Sequence, residues 1–201
     1  GGTPYIVGGA VRDYVMGKEA HDVDICVVGM TMEQLQAVFP EGDVVSKSFP
    51  VLIVGGIEIA LARKDKKVGP GYTGFDCDTS GVTLQDDLWR RDLTINAMAM
   101  NPFTGEIVDP FGGRNDIAMK RLRPMSDHFI EDPLRVLRAA RFAAQLGFTP
   151  TEELVRMCRL LSHELETLPD ERILVELMKA LRATQPSVFF EAIKQFNCLD
   201  T

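Results

Sequence analysis

Near Phe129 the spacing of apolar residues changes, and that change constrains the fold more than any other feature of the chain. Beyond it, Leu134, Leu137, Phe142 and Leu146, and later Ile173, Leu174, Leu177 and Leu181, fall at the spacing of one helix face. Four helices are predicted, at roughly 130–146 closed by Gly147, 151–164, 169–183 and 186–197, with no strand among them. Before Phe129, short apolar runs alternate with Gly- and Pro-rich breaks, the pattern of strands and brief helices.

Tyr5–Val7 and Asp22–Val28 read as strands on either side of a helix over Ala10–Met16 that Gly17 closes. Thr31 and Gln34 have capping-box spacing ahead of Leu35, Val38 and Phe39, and Pro40 stops that helix. Val51–Val54 and Ile57–Ala62 flank Gly55-Gly56, a two-residue hairpin signal. Residues 64–82, with Gly-Pro-Gly-Tyr-Thr-Gly inside, read as a long mobile loop without regular structure. A helix over Thr83–Trp89 and a second hairpin from Ile95–Met100 and Ile107–Asp109 complete the mixed part. The expected architecture is α+β: a mixed sheet with flanking helices over residues 1–125, then a separate all-α unit over 126–201.

Composition narrows the class. A chain of 201 residues with 45% hydrophobic and 25% charged residues can bury a real core. No apolar run reaches the roughly 18 residues of a membrane span. Cys26, Cys77, Cys158 and Cys198 are scattered, and His21, His128 and His163 lack metal-site spacing, which argues against zinc and disulfides and for the cytoplasm. A net charge of −7 argues against a general nucleic-acid binder. Local basic clusters at 63–67, 90–91, 120–123 and Arg135, Arg138 and Arg141 soften that objection.

The chemistry-bearing unit comes first. Gly8-Gly9 makes a turn without side chains, so backbone N–H groups can approach phosphates. Arg12 lies one helical turn further on, as a fork for phosphate oxygens. Asp22 and Asp24 are two apart, so on a strand both carboxylates face one way. Two carboxylates beside an anion cradle suit Mg²⁺ shared between protein and substrate phosphates. Glu58 is either a third carboxylate of this group or an exposed strand residue.

Five motifs then occur in order: Gly8-Gly9-Ala-Val-Arg12-Asp13, Asp22-Val-Asp24, Asp86-Asp87-Leu-Trp-Arg90-Arg91-Asp92-Leu-Thr-Ile-Asn96-Ala97, Asp109-Pro-Phe-Gly112-Gly113, and Glu131-Asp132-Pro-Leu-Arg135-Val-Leu-Arg138. With them the chain resembles class II tRNA nucleotidyltransferases, the CCA-adding enzymes, and their bacterial poly(A) polymerase relatives, over nearly its whole length. The resemblance implies a polymerase-β-like head followed by a helical neck. It implies metal binding at Asp22 and Asp24, and nucleotide contacts from Arg91, Asp92 and Asn96. It implies that Asp132 and Arg135 select the base, with CTP, ATP and a tRNA 3′ end as partners, Mg²⁺ as cofactor and a monomer as the expected state.

The base-selection reading has a physical basis. A carboxylate accepts from an exocyclic amine while a guanidinium donates to a ring acceptor, a pattern shared by cytosine and adenine and reversed in guanine and uracil. Asp132 and Arg135 are three apart, so on a helix they share one face, while Asp132 before Pro133 is also suited to cap a helix. Arg138 and Arg141 either reach phosphates or pair with acidic neighbours such as Glu131. CCA addition, CC-only or A-only addition and poly(A) synthesis share these motifs. The long segment after Arg63 and the Ser48-Phe-Pro stretch favour the complete CCA activity. The chain stops where longer family members continue, so a nucleotide-binding fragment with weak tRNA affinity is a further alternative.

Overall fold

The computed structural model describes every residue except 21, 47–49, 68–74 and 200–201, and the backbone alone at 66–67 and 75–76. The chain opens with β1 (Thr3–Val7), turns at Gly8 into α1 (Gly9–Val15), and returns as β2 (Asp24–Val28) antiparallel to β1. α2 (Met32–Val38) starts at the expected capping box, in which Thr31 Oγ1 accepts from the Gln34 N–H and Gln34 Oε1 from the Thr31 N–H. β3 (Asp43–Val45), β4 (Val51–Val54) and β5 (Ile57–Leu61) follow. Next come β6 (Lys64–Lys67), β7 (Phe75–Asp78), α3 (Leu84–Trp89), β8 (Ala99–Met100) and β9 (Ile107–Val108). α4 (Gly113–Ala118), β10 (Arg121–Leu122), α5 (Leu134–Leu146), β11 (Thr149–Pro150), α6 (Glu152–Leu160), α7 (Asp170–Leu181) and α8 (Pro186–Gln195) complete the chain.

Seven strands form one mixed sheet in the order β3-β4-β5-β2-β1-β8-β9. Every pairing is antiparallel except that of β2 with β5, which sets Asp24 beside Glu58 in register. This parallel contact brings two carboxylate-bearing strand starts together at one end of the sheet.

Several local expectations are corrected. Asp22 lies in a bend ahead of β2 rather than on the strand. Residues 64–67 and 75–78 are not loop but a two-stranded ribbon in which Lys64 stands opposite Asp78; cross-strand opposite charge stabilises such a pair. The Gly-Tyr-Thr-Gly portion of the expected loop and the Ser48-Phe49 cue lie outside the described residues. The expected strand at 95–100 begins instead as a 3-10 turn over Thr94–Asn96. Thr94 donates to Asp116 at 2.7 Å and Asn96 to Asp92 at 3.1 Å, so buried polar partners override an apolar run.

The helical part is also less regular than its period suggests. A 3-10 segment (Asp127–Glu131) precedes α5, and another (Ser162–Thr167) follows α6. β11 pairs with β10, so one short strand does occur beyond Phe129. Two-residue pairings leave no period to read. One core cluster joins Leu93, Ile95 and Leu122 to Phe129, Leu154 and Phe196, so apolar packing runs from the sheet side into the helices.

Gly113 opens α4 where an added Cβ would press into the Thr94 carbonyl oxygen. Gly113→Ala is expected to cost about 1–3 kcal/mol of unfolding free energy, measured by urea denaturation; an unchanged midpoint would contradict this packing.

Candidate active site

Gly8 holds φ 71°, a value that favours glycine, and a Cβ there would stand 3.2 Å from Nη1 of Arg91. Its own N–H is directed to the Met98 carbonyl at 3.4 Å, so one donor of the expected phosphate cradle is used within the fold. Asp24 begins β2 beside this turn. Its carboxyl is raised above the usual range, first by burial and then by Glu58, with Asp22 adding to the rise and Arg91 opposing it. The residue as a whole still reaches solvent. Crowded negative charge at a half-sheltered carboxylate is a situation that a cation relieves.

α3 aims the arginine pair. Thr83 and Asp86 form a reciprocal cap at its start. Asp87, fully buried, accepts from Arg90 Nη2 at 2.7 Å and Arg91 Nη2 at 2.9 Å, the helical i,i+3 and i,i+4 neighbours. Burial pushes the Asp87 carboxyl up, but Arg91 and Arg90 together hold it below its ordinary value. Asp87 also accepts from the Arg63 backbone N–H, and Arg90 pairs with Asp65, which ties the β6–β7 ribbon to the site. Arg91 Nε is buried without a hydrogen-bond partner.

Asp92 anchors the next group. Its Oδ2 accepts from Arg138 Nε at 2.9 Å and Nη2 at 2.8 Å, and its Oδ1 accepts from Asn96 Nδ2 and the Leu93 N–H. Asn96 Oδ1 in turn accepts from Arg12 Nη1 at 2.9 Å. Burial works to raise the Asp92 carboxyl, yet Arg138, Asn96 and Arg135 hold it far below the carboxylate range. Arg141 pairs with the buried Glu176 on α7, and Arg138 also approaches Glu176 at 3.7 Å. Glu131, the acidic neighbour expected for these arginines, instead contacts His128 at 2.8 Å.

Asp132 does not share a helix face with Arg135, because it is extended and lies just before α5. Its Oδ1 accepts from the Leu134 N–H at 3.0 Å, and its Oδ2 accepts from Arg172 Nη2 at 2.9 Å. Arg135 donates to the carbonyls of His128 and Arg90. Capping is therefore realised with one oxygen, while the other faces α7.

All of these side chains meet. A cavity of about 400 Å³ is lined by Gly8, Gly9, Arg12, Asp22, Asp24, Arg91, Asp92, Asn96, Asp132, Arg135, Arg138 and Arg141, with Arg90 and Phe142 added. Glu58 is absent from this lining and acts on it only through its charge on Asp24. Six arginines against four aspartates make the cavity wall locally cationic on a chain of net charge −7. Asp87, Glu176 and Phe142 carry this arrangement, although by sequence Asp87 reads only as part of a motif, Glu176 as part of a supporting helix and Phe142 as part of an apolar face. Only the Asp87-Arg90-Arg91 helical spacing could have flagged one of them.

Among the described residues, no three His, Cys, Asp or Glu side chains converge as an all-protein metal cage. Asp22 and Asp24 fit the alternative, two carboxylates with the remaining ligands from substrate oxygens and water.

A family profile described as the Poly A polymerase head domain matches residues 4–123. This chain belongs to the tRNA nucleotidyltransferase and poly(A) polymerase family. A second profile, the probable RNA and SrmB-binding site of polymerase A, matches 147–201. The "Multifunctional CCA protein" of Haemophilus ducreyi is 47% identical over 97% of this chain and 49% of its own length. The "CCA-adding enzyme" of Blochmanniella floridana is 43% identical over 97% and 48%. The chain thus spans about half the length of the curated relatives it matches.

Among solved structures, the Bacillus stearothermophilus CCA-adding enzyme in complex with CTP superposes with a TM-score of 0.84 at 30% identity, covering 98% of this chain and 49% of that one. A tRNA nucleotidyltransferase complexed with a primer tRNA and an incoming ATP analog gives 0.75 at 32%, covering 98% and 58%. The mixed sheet with flanking helices is therefore the polymerase-β-like nucleotidyltransferase head, and this family uses a divalent metal ion. Among the described residues no helix is long and apolar enough to cross a membrane.

Two carboxylates of this family site should respond oppositely to neutralisation. Asp92 has a folded-state pKa below its unfolded value of about 3.9, so its stabilisation is complete well above that value and fades as pH falls through it. Asp92→Asn is expected to cost about 3–5 kcal/mol at pH 7, with the deficit shrinking below about pH 4 in pH-dependent denaturation. Asp24 has a raised pKa, so its charge opposes folding at neutral pH. Asp24→Asn should leave the melting temperature unchanged or higher; a drop as large as that of Asp92→Asn would refute the assignment of strain to Asp24.

Proposed function

We propose that this chain is the nucleotidyl-transferring part of an enzyme that adds CCA to tRNA 3′ ends from CTP and ATP, with Mg²⁺ and release of pyrophosphate. Residues 1–125 act as the catalytic head and 126–201 as the neck that selects the base. The observation that carries the proposal is the convergence of an aspartate pair, Arg91 and the Asp132–Arg135 couple on one cavity. The names of the relatives, at 43% to 47% identity, favour CCA addition among the activities that share this head.

Each lining residue has a chemical task in this reading. Asp22 and Asp24 hold the metal, which supplies charge neutralisation and lowers the pKa of an attacking RNA hydroxyl. Arg91 lines the cavity beside Gly8 and offers its guanidinium to triphosphate oxygens, and the Gly8-Gly9 turn lets those oxygens come close. Asp92 is already saturated by four donors, so its task is to fix Arg138 and Asn96 rather than to receive a ribose hydroxyl. Asn96 and Arg12, linked to it, present the remaining donors to the sugar and phosphates. Glu58 tunes Asp24 from the neighbouring strand.

Base choice falls to Asp132 and Arg135. A carboxylate oxygen accepts more than one hydrogen bond, so Asp132 Oδ2 keeps a lone pair for an exocyclic amine while Arg172 holds it. Arg135 retains N–H groups beyond the two given to backbone carbonyls. Guanine and uracil would set a carbonyl oxygen against the remaining Asp132 lone pair and a ring N–H against the remaining Arg135 donors, a strong penalty in a sheltered site. Work on tRNA agrees with a cytoplasmic setting for a chain with four scattered cysteines.

Incubation with tRNA lacking its terminal trinucleotide, Mg²⁺ and labelled CTP or ATP tests the proposal. Incorporation should stop after three nucleotides, and Asp24→Ala should lower it by about a thousandfold, close to 4 kcal/mol. Arg135→Ala should lose about tenfold or more of the preference for CTP over UTP. Long ATP-only tails on arbitrary RNA would instead establish poly(A) synthesis, and unchanged incorporation after Asp24→Ala would exclude this site.

A further inference from the structure

Phe142 sits on α5, 4% exposed, and forms part of the cavity wall. Three guanidiniums lie over its ring, with Cζ to centroid distances of 4.1 Å for Arg141, 5.3 Å for Arg12 and 5.6 Å for Arg138. Arg12 comes from α1 and the other two from α5, so one ring connects cations from opposite ends of the chain.

Like charges gathered this closely repel one another. Carboxylates offset the repulsion: Asp13 pairs with Arg12 at 2.8 Å and Glu176 with Arg141 from behind, and Asp92 with Arg138 at 2.8 Å from the cavity wall. On the cavity side, a further carboxylate would block the space that an anionic ligand needs. An aromatic face attracts a cation through its quadrupole without adding a charge or a hydrogen-bond acceptor that would compete for the ligand. Leucine would fill similar space yet offer no such face.

We propose that Phe142 is a positioning residue for nucleotide binding, whose ring gathers Arg12, Arg138 and Arg141 and keeps their guanidiniums at the cavity before any anion arrives. This inference deepens the nucleotide reading above and rests on it for the identity of the ligand. Phe142 also packs in the main apolar cluster, so the alternative is that it only fills space. Filling space depends on ring shape, whereas gathering cations depends on the charge distribution of the ring.

Fluorination separates the two. Phe142 is replaced by ring-fluorinated phenylalanines with one, two and three fluorines, which weaken the quadrupole with little change of shape, and by Phe142→Leu and Phe142→Tyr. In the free protein, the Nε–Hε NMR signals of Arg12, Arg138 and Arg141 should shift and broaden stepwise with fluorine number, while melting temperature stays near that of the parent. The dissociation constant for CTP with Mg²⁺ should rise stepwise to about tenfold for the trifluorinated ring and for Phe142→Leu, and Phe142→Tyr should restore it. Arginine signals that ignore fluorination, or CTP affinity that tracks only melting temperature, would overturn the proposal. If Phe142→Leu fails to fold, the fluorinated proteins decide alone. If the parent does not bind CTP, the nucleotide reading fails, and the arginine signals of the free protein still decide whether the ring gathers the cations.

Discussion

The ion pair between Asp92 and Arg138 is the contact on which the cavity depends. It joins the segment after α3 to the middle of α5, and both hydrogen bonds from Arg138 to Oδ2 are shorter than 3 Å. A buried carboxylate without its cation is strongly destabilising, so this pairing leaves little freedom in how sheet and helices approach each other. Asn96 donates to the other oxygen of the same carboxylate, and Arg12 in turn donates to the Asn96 side-chain oxygen. One saturated aspartate thus orders Arg138 of α5 and Asn96 of the 3-10 turn directly, and Arg12 of α1 through Asn96.

Around that anchor the charges are arranged in layers. Carboxylates that face away from the cavity, Asp87 and Glu176, are fully buried and hold arginines from behind. Carboxylates that face into it, Asp22 and Asp24, lie where solvent and substrate can reach. The first set lowers the freedom of the guanidiniums, and in the second Asp24 is crowded by the charge of Glu58 and Asp22. An acidic protein can in this way present a locally cationic pocket to triphosphates, because binding responds to nearby charge more than to the total.

Much of the site was legible because its residues cluster in short motifs whose types announce their chemistry. The diglycine turn, the aspartate pair, the arginines that follow α3 and those of α5 all line the cavity, although Asp22 does so from a bend and not from the strand that its spacing suggested. What escaped was held by partners far along the chain. Ile95 looks like strand until Thr94 and Asn96 find Asp116 and Asp92. Asp132 looks like the first residue of a helix face until Pro133 and Arg172 fix it outside the helix. Glu176 and Phe142 read as ordinary members of amphipathic helices, since nothing local shows that arginines will converge on them.

The sequence by itself determined the period change near Phe129, the helix caps and the inventory of charged groups, because these follow from spacing and side-chain type within a few residues. Only the tertiary structure decided which charges meet, since β2 and β5 come together in parallel and α5 crosses behind the arginine pair. Coulomb attraction and desolvation act over a few ångströms of space, whatever the separation along the chain. That is why Asp24 and Glu58, or Asp92 and Arg138, are strangers in the sequence and neighbours in the fold.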